Sequence, residues 1–322
     1  HDALIIISDD LSHLPNTPLR DAILNQAQVD SRIGNQVTLL VIAGKRVVLA
    51  PTGPLNRDYD DVRRYFDAAK LAINEAKAIG IDVDVFASSE DKNFSYIPKG
   101  SVAPSNVDYI HYTSNNTIFG TQFHELPETT LPLVCDMSSD IFSRPVDVSK
   151  YAIIYAGAQK NLGPAGATLY IVKDEILGKS TSEFMPKYLN LKNHSDKGSM
   201  MNTPPVFSVY ASMLNLRDLI AHGGVQAAQK RNQEKADELY NEIDRNPAFK
   251  GTVPVEDRSY MNITFLLNND ADKEAFDKAW NAAGIVGLKG HRSVGGYRAS
   301  MYNALTLESV KVLTKVMREF NK

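Results

Sequence analysis

The stretch YAIIYAGAQKNLGPAGATLYIV, residues 151–172, places one lysine in a tight turn between two apolar runs. The runs, 151–155 and 163–172, have the composition of buried strands. Loss of water at such a turn favours the neutral, nucleophilic form of the Lys160 amine. This is the setting of a Schiff-base lysine, and the alternative is a solvated lysine in an ordinary turn.

A second apolar run, LPLVCD at residues 131–136, ends in the carboxylate of Asp136. Pyridoxal phosphate enzymes need a lysine that holds the cofactor's aldehyde and a carboxylate that keeps its pyridine nitrogen protonated. Asp136 and Lys160 would supply this pair from the ends of two strands. The spacing alone is also compatible with two solvated turn residues.

Four motifs resemble the phosphoserine aminotransferase family in its order and spacing. They are DMSSDIFSRP at 136–145, GAQKN at 157–161, MNTPP at 201–205 and KGHRSVGGYRAS at 289–300. The resemblance runs from about Ser88 to Lys322. It implies an α/β protein of the fold-type-I pyridoxal phosphate-dependent transferases, with a large domain on a mostly parallel sheet and a smaller C-terminal α+β domain. The alternating strands and helices of the chain also favour an α/β fold with a largely parallel sheet covered by helices.

The resemblance also implies how the cofactor is held. Lys160 would bind pyridoxal 5'-phosphate and move the proton at the substrate Cα, while Asp136 would make the ring an electron sink. Thr117 would donate to the ring hydroxyl, and Gln159 would contact the cofactor phosphate. Two further residues would reach that phosphate from the partner subunit of a homodimer, namely Asn202 and Thr203.

The implied reaction is reversible transamination between O-phosphoserine plus 2-oxoglutarate and 3-phosphohydroxypyruvate plus glutamate, in serine biosynthesis. Arg298 would grip the substrate α-carboxylate, a task suited to the planar guanidinium group. His291 and Arg292 would recognise the substrate phosphate. Without the resemblance, Gly290-His291-Arg292 is most often a solvated basic turn.

The beginning of the chain departs from that family. The segment VVLAPTGPLNRDYDDVR at 47–63 resembles the N-terminal, non-catalytic domain of leucyl aminopeptidase-type proteins, a resemblance that covers about residues 1–80. The glycine-rich phosphate loop of the aminotransferases is missing here, and their ring-stacking aromatic residue is replaced by Leu71. The sequence therefore resembles a chimera joined within roughly 65–88. Two alternatives to a working enzyme stay open: an impaired scaffold that binds the cofactor weakly, and an aminopeptidase-related protein.

Composition narrows the choice of partners. The 322 residues carry a formal charge of −3, which disfavours nucleic acid and anionic membrane surfaces. No apolar run approaches the length of a membrane span, and the start at His1 lacks the pattern of a signal peptide. We therefore expect a cytoplasmic protein that does not bind a membrane. The single cysteine, Cys135, excludes a multi-cysteine metal site, and His111 and His124 lack carboxylates at ligand spacing. We therefore expect no metal.

Three segments follow from these patterns. We expect residues 1–87 to form an aminopeptidase-like α/β segment that either completes the large domain or folds apart from it. We expect 88–222 to form the cofactor-binding large domain and 223–322 to form the small domain. Predicted strands include 3–8, a hairpin of 36–42 with 46–50, 83–87, 109–112, 261–267 and 285–288. Predicted helices are 58–79, 204–220 with Thr203 as N-cap, a charged helix reaching about 243, 272–283 and 307–320.

Overall fold

The computed structural model describes residues 3–8, 18–28, 38–42, 45–51, 84–179, 187–291 and 295–320. The chain divides into two compact units. One comprises residues 1–85 with 181–190, and the other comprises 86–180 with 191–322. The predicted boundaries at 87/88 and 222/223 stay predictions.

The first unit contains three strands and one helix in its described part: β1 (Ala3–Ser8), α1 (Pro18–Ala27), β2 (Thr38–Ile42) and β3 (Lys45–Pro51). The central strand β3 pairs parallel with β1 and antiparallel with β2. The predicted strand 3–8 and the predicted hairpin are thus confirmed. The helix predicted over 58–79 lies outside the described residues.

The second unit holds a four-stranded sheet made of β4 (Ile110–Thr113), β5 (Leu133–Asp136), β6 (Ile153–Gly157) and β7 (Thr168–Val172), in that order. The first three strands run parallel, and β7 returns antiparallel after the lysine turn. Side chains alternate between the two faces of a strand. One face is therefore apolar and buried, through residues that include Ile110, Leu133, Cys135, Ile154 and Ala156.

The rest of this unit contains helices and a second sheet. The helices are α2 (Leu191–Asp196), α3 (Val206–Ala221), α4 (Gly224–Arg245), α5 (Lys273–Ala282) and α6 (Leu307–Phe320). The antiparallel sheet has the order β10 (Tyr297–Ser300), β9 (Asn262–Leu267), β8 (Phe249–Gly251). Its core buries large side chains such as Leu239, Phe265, Phe276 and Met317. None of the helices in the described ranges is long and apolar enough to span a membrane.

Three local predictions are wrong. Residues 84–87 form no strand, and Val85 is exposed rather than packed. Residues 285–288 are irregular because Gly284 and Gly287 both adopt positive φ, at 77° and 71°, which breaks extended backbone. The N-cap of α3 is Pro205, without a side-chain cap, rather than Thr203.

Candidate active site

The lysine turn connects β6 to β7 and is closed by its own backbone. Ala158 N–H donates to Ala167 O at 3.0 Å, and Gly163 N–H donates to Ala158 O at 2.7 Å. Helix α3 supports the turn from one side, since Asn215 Nδ2 donates to the carbonyl oxygens of Asn161 (2.8 Å) and Leu162 (2.9 Å). The segment that carries Lys160 is thus fixed on both of its ends.

Gly163 allows α3 to lie this close. A Cβ atom at this position would be 2.5 Å from Ser212 Oγ and 3.1 Å from Ser212 Cα. Ser208, one turn earlier on the helix, donates from Oγ to Ala165 O at 2.6 Å. The helix therefore meets the lysine turn through small polar side chains.

Helix α3 exposes several of its large apolar residues. Its buried residues are Ser208 and Ser212. In contrast, Phe207 is 75% exposed and Tyr210 is 57% exposed, and Val206, Val209 and Leu214 are exposed too. This is the reverse of the usual pattern, in which the apolar stripe of a helix faces its own core.

Lys160 is half-buried, and its Nζ lies 3.5 Å from the Thr117 hydroxyl. Burial lowers the pKa of Lys160; the charge of Asp136 opposes this effect, Arg298 adds to it, and Asp140 opposes it weakly. The physical cause is that desolvation disfavours the ammonium form. The arrangement produces an amine that deprotonates more readily than a solvent-exposed lysine, as the sequence predicts.

Thr117 lies in a turn that is ordered by its neighbours. Asn116 Oδ1 accepts hydrogen bonds from the N–H groups of Ile118 (3.0 Å) and Phe119 (3.2 Å). Gly120 then adopts φ 80°, and a Cβ there would lie 2.9 Å from Asn262 O. Arg298, on β10, donates from Nη1 to Thr117 O at 3.0 Å. One residue thus contacts both the candidate nucleophile and the candidate carboxylate-binding arginine.

Asp136 ends β5, and its Oδ1 accepts from Ser138 N–H at 2.8 Å. Its register partner on β6 is Tyr155. Burial raises the pKa of Tyr155, and Asp136 raises it further. His111 on β4 places Nε2 2.9 Å from the Tyr155 hydroxyl. Desolvation of its ring lowers the pKa of His111, and the charge of Asp136 opposes that effect.

A second carboxyl group, Asp140, is buried behind Asp136. It accepts hydrogen bonds from the Ser114 hydroxyl and from Gln122 Nε2 (3.1 Å), and Arg144 Nη2 lies 3.7 Å away. Burial raises the pKa of Asp140, and the Ser114 hydrogen bond opposes the shift first among several groups. The backbone N–H of Ser114 donates to Asp136 O at 3.0 Å, so this buried cluster fixes the backbone that carries Asp136.

The other predicted residues are placed less closely. Gln159 is exposed next to Lys160. Asn202 and Thr203 are exposed before α3, where Asn202 Nδ2 donates to Thr203 O at 3.0 Å. His291 is half-buried in the segment that precedes β10, and Arg292 lies outside the described residues. The structure thus brings Lys160, Asp136, Thr117 and Arg298 together, and the assigned roles of the others stay predictions.

Sequence reasoning missed His111 and Tyr155 as neighbours of Asp136. The signal was available in the strand pattern. Thr113 pairs with Asp136, so His111, two residues earlier on β4, points to the same face of the sheet. The same argument holds for Tyr155, the partner of Asp136 on β6.

A cavity of about 860 Å³ lies elsewhere in the second unit. Its lining includes His111, Tyr112, Gln122 and Asp257, but not Lys160, Asp136 or Arg298. We place the candidate site at Lys160 because titratable groups of opposing charge converge there. The described part of the chain contains no group of three or more side chains suited to a metal ion.

Comparison with known proteins identifies the family of the chain. A family model described as aminotransferase class-V matches residues 66–313, which begins upstream of the expected start near Ser88. Phosphoserine aminotransferases from Flavobacterium johnsoniae and Flavobacterium psychrophilum are 60% and 61% identical over 250 and 251 residues. Each match covers 78% of this chain and 70% of the relative. The solved structure of a phosphoserine aminotransferase from Bacillus circulans subsp. alkalophilus superposes with a TM-score of 0.74 at 44% identity, over 78% of this chain and 70% of that one.

Proposed function

The chain belongs to the phosphoserine aminotransferases of aminotransferase class V, and from that membership we propose that Lys160 and Asp136 carry its reaction. The predicted α/β fold of type I is confirmed. The reaction is amino transfer between O-phosphoserine and 2-oxoglutarate, a step of serine biosynthesis. The observation that carries the proposal is the meeting of Lys160 and Arg298 at Thr117.

The donor set at Lys160 fits pyridoxal phosphate. Lys160 offers an amine of lowered pKa for the aldehyde, Asp136 a carboxylate for the pyridine nitrogen, and Thr117 a hydroxyl for the ring hydroxyl. When bound, the cofactor supplies an electron sink for the bond that breaks at the substrate Cα. For the cofactor phosphate we propose Gln159, together with Asn202 and Thr203 of a second subunit.

The chain's own residues then have separate tasks. Arg298 binds the substrate α-carboxylate and so sets the orientation of the Cα–H bond. Lys160, whose pKa is lowered by burial, takes the proton from Cα and returns it later. Asp136 is fixed for its task by Ser138 on one side and by Tyr155 on the other. His291 and Arg292 are our proposed contacts to the phosphate of the substrate.

The outward apolar face of α3 supports a homodimer. Exposed apolar patches on soluble proteins mark surfaces that a partner covers. Phe207 and Tyr210 are exposed directly after Asn202 and Thr203, the residues proposed to act across the subunit boundary. We therefore propose that a second copy of this chain covers the apolar face of α3. A cytoplasmic location stays a prediction.

The N-terminal resemblance is a separate proposal. From the segment at 47–63 we propose that residues 1–80 are related to the non-catalytic domain of leucyl aminopeptidase-type proteins. Residues 1–85 belong to a compact unit of their own with 181–190, in keeping with a separate folding unit. Native-state limited proteolysis tests this, since a separate unit predicts a protected N-terminal fragment that is released by cleavage within roughly 80–90.

One experiment tests the proposed function directly. Purified protein titrated with pyridoxal phosphate should develop a visible absorbance band, and borohydride should fix the cofactor on the peptide that contains Lys160. The variant Lys160→Ala should show neither effect, while Lys150→Ala, which changes an exposed lysine, should behave like the wild type. Amino transfer from O-phosphoserine to 2-oxoglutarate is then measured on the loaded protein. Cofactor fixed on a different lysine contradicts the assignment.

A further inference from the structure

A short segment after β10, residues 301–303, joins several parts of the second unit. Strand β10 carries Arg298, and residues 301–303 directly follow it. Contacts of these residues therefore fix the C-terminal end of that strand. Met301 N–H donates to Met261 O at 2.7 Å, which continues the pairing of β10 with β9. Beyond that point the segment leaves the sheet and meets the lysine turn.

Asn303 is the residue at which the contacts converge. Its backbone N–H donates to Asn161 Oδ1 at 2.9 Å, and Asn161 directly follows Lys160. Its Nδ2 donates to Phe142 O at 3.0 Å. Phe142 lies six residues after Asp136 in the chain and adopts a left-handed backbone conformation with φ 59°. Asn303 thus hydrogen-bonds to the segments of both the lysine and the aspartate, while its own segment carries the arginine.

Helix α4 holds Asn303 from the other side. Asn232 Nδ2 donates to Asn303 Oδ1 at 2.8 Å and to Ser143 O at 3.1 Å. Lys235, one turn later, is only 1% exposed, and its Nζ donates to the carbonyl oxygens of Met301 and Tyr302, both at 2.9 Å. A buried ammonium group that is satisfied by two backbone carbonyls fixes those carbonyls strongly, because breaking the bonds would leave a charge without acceptors.

We propose that Asn303, backed by Asn232 and Lys235, is a positioning residue that sets the Lys160 amine in place relative to Asp136 and Arg298. The inference rests on the proposed function, which assigns these three groups to one reaction. Asn303 touches neither substrate nor cofactor in this scheme. It acts through Asn161, whose side chain and carbonyl oxygen are held by Asn303 and Asn215 respectively.

The alternative is that the half-buried Asn303 contributes to stability alone, through its hydrogen bonds. Asn246 provides a matched control for that role. It is buried in the same unit, it donates to Glu242 Oε1 (3.0 Å) and Met317 O (2.9 Å), and it accepts from Ala248 N–H. None of these partners is a segment of the candidate site.

The test compares Asn303→Ala, Asn232→Ala, the double variant and Asn246→Ala. The first readout uses the protein without cofactor: the rate at which Lys160 is acetylated by acetic anhydride is followed across pH by peptide mass spectrometry. The second is the affinity for pyridoxal phosphate by absorbance titration. The third is the free energy of unfolding in urea.

We expect Asn303→Ala to shift the pH profile of Lys160 acetylation towards higher pH and to weaken pyridoxal phosphate affinity about tenfold, the scale of one ordinary hydrogen bond. Asn232→Ala should produce smaller shifts in the same direction, and the double variant should resemble Asn303→Ala, since the two side chains share a bond. Asn246→Ala should lower only the free energy of unfolding. Should Asn303→Ala fail to fold, Asn232→Ala decides the question by the same two readouts.

The proposal is overturned if Asn303→Ala, or Asn232→Ala in its place, loses stability while the Lys160 profile and the cofactor affinity stay at wild-type values. It is equally overturned if Asn246→Ala changes both as much. Failure of the wild type to bind pyridoxal phosphate would instead contradict the proposed function. The acetylation profile would still decide whether Asn303 positions the amine.

Discussion

Arg298 donates a hydrogen bond to the carbonyl oxygen of Thr117 at 3.0 Å, although 181 residues separate them in the chain. The Thr117 hydroxyl is at the same time 3.5 Å from Lys160 Nζ. Strand β10, which carries Arg298, and the β6–β7 turn, which carries Lys160, therefore both contact the short turn that contains Thr117. A displacement of that turn moves the two groups together.

The charges around Lys160 should shift its pKa in opposite directions. Asp136→Asn removes a charge that raises the pKa of Lys160, so the amine should deprotonate at lower pH than in the wild type. Arg298→Leu removes a charge that lowers it, so deprotonation should need higher pH. The pH dependence of Lys160 acetylation without cofactor measures both shifts. If the two variants shifted the pH profile of Lys160 in the same direction, the electrostatic assignment would be contradicted.

Asp136→Asn should also separate cofactor attachment from catalysis. The amide leaves Lys160 intact, so borohydride should still fix pyridoxal phosphate on that lysine. Amino transfer should fall by at least ~100-fold, the scale seen when a positioned acid or base is removed, because a neutral amide does not keep the pyridine nitrogen protonated. Near-normal turnover in Asp136→Asn would show that another group performs this task.

The sequence predicts most of the chemistry and less of its support. Asp136 ends an apolar run with strand composition and is the last residue of β5, and Lys160 lies in the turn after β6, as expected. His111 and Asn303 depend on strand register and on contacts across long separations, which the local pattern does not encode. The strand expected at 285–288 does not form, because two glycines there adopt positive φ. Strand β10 is not predicted, because its residues are interpreted only as part of a binding motif. Local patterns thus predict elements, whereas pairing and packing decide which polar groups meet.

Gly163→Ala should push α3 away from the lysine turn. The added Cβ would lie 2.5 Å from Ser212 Oγ and 3.1 Å from Ser212 Cα, so the variant should lose ~1–3 kcal/mol of unfolding free energy. Combining it with Ser212→Ala removes the closer contact and should recover part of that loss. Urea unfolding of the two single variants and the double variant measures the coupling. Strict additivity would show that the Ser212 side chain does not oppose the added methyl group.

The apolar face of α3 should control assembly. Phe207→Asp together with Tyr210→Asp places two charges on that face, and we expect the dimer to dissociate to monomers in sedimentation velocity. Val286→Asp changes an even more exposed apolar residue outside the helix and should leave the dimer intact. A charged α3 face with an unchanged sedimentation coefficient would place the subunit contact elsewhere.

Lys235 should make stability depend on pH. Burial lowers the pKa of Lys235 to about 8 from its ordinary value of 10.5, and the charge of Arg231 contributes. Between these two values the unfolded chain binds the proton more tightly, so the free energy of unfolding should rise with pH there. The rise is at most about 3 kcal/mol, and the two carbonyl acceptors reduce it by favouring the charged form. Urea unfolding of the wild type minus that of Lys235→Met, compared at pH 7.5 and 9.5, isolates the effect; a difference independent of pH would contradict it.

Helix α3 presents serines and an asparagine to the lysine turn and aromatic side chains to the outside. The two surfaces are separated by one helix diameter, about 10 Å. In the proposed homodimer, subunit association and placement of the reactive amine would therefore be thermodynamically linked, and the linkage would be reciprocal. Loading the site with cofactor should tighten the subunit contact, and dilution of the protein should weaken loading to the same degree. The enzyme would lose its cofactor as it is diluted, without any change at the residues that bind it.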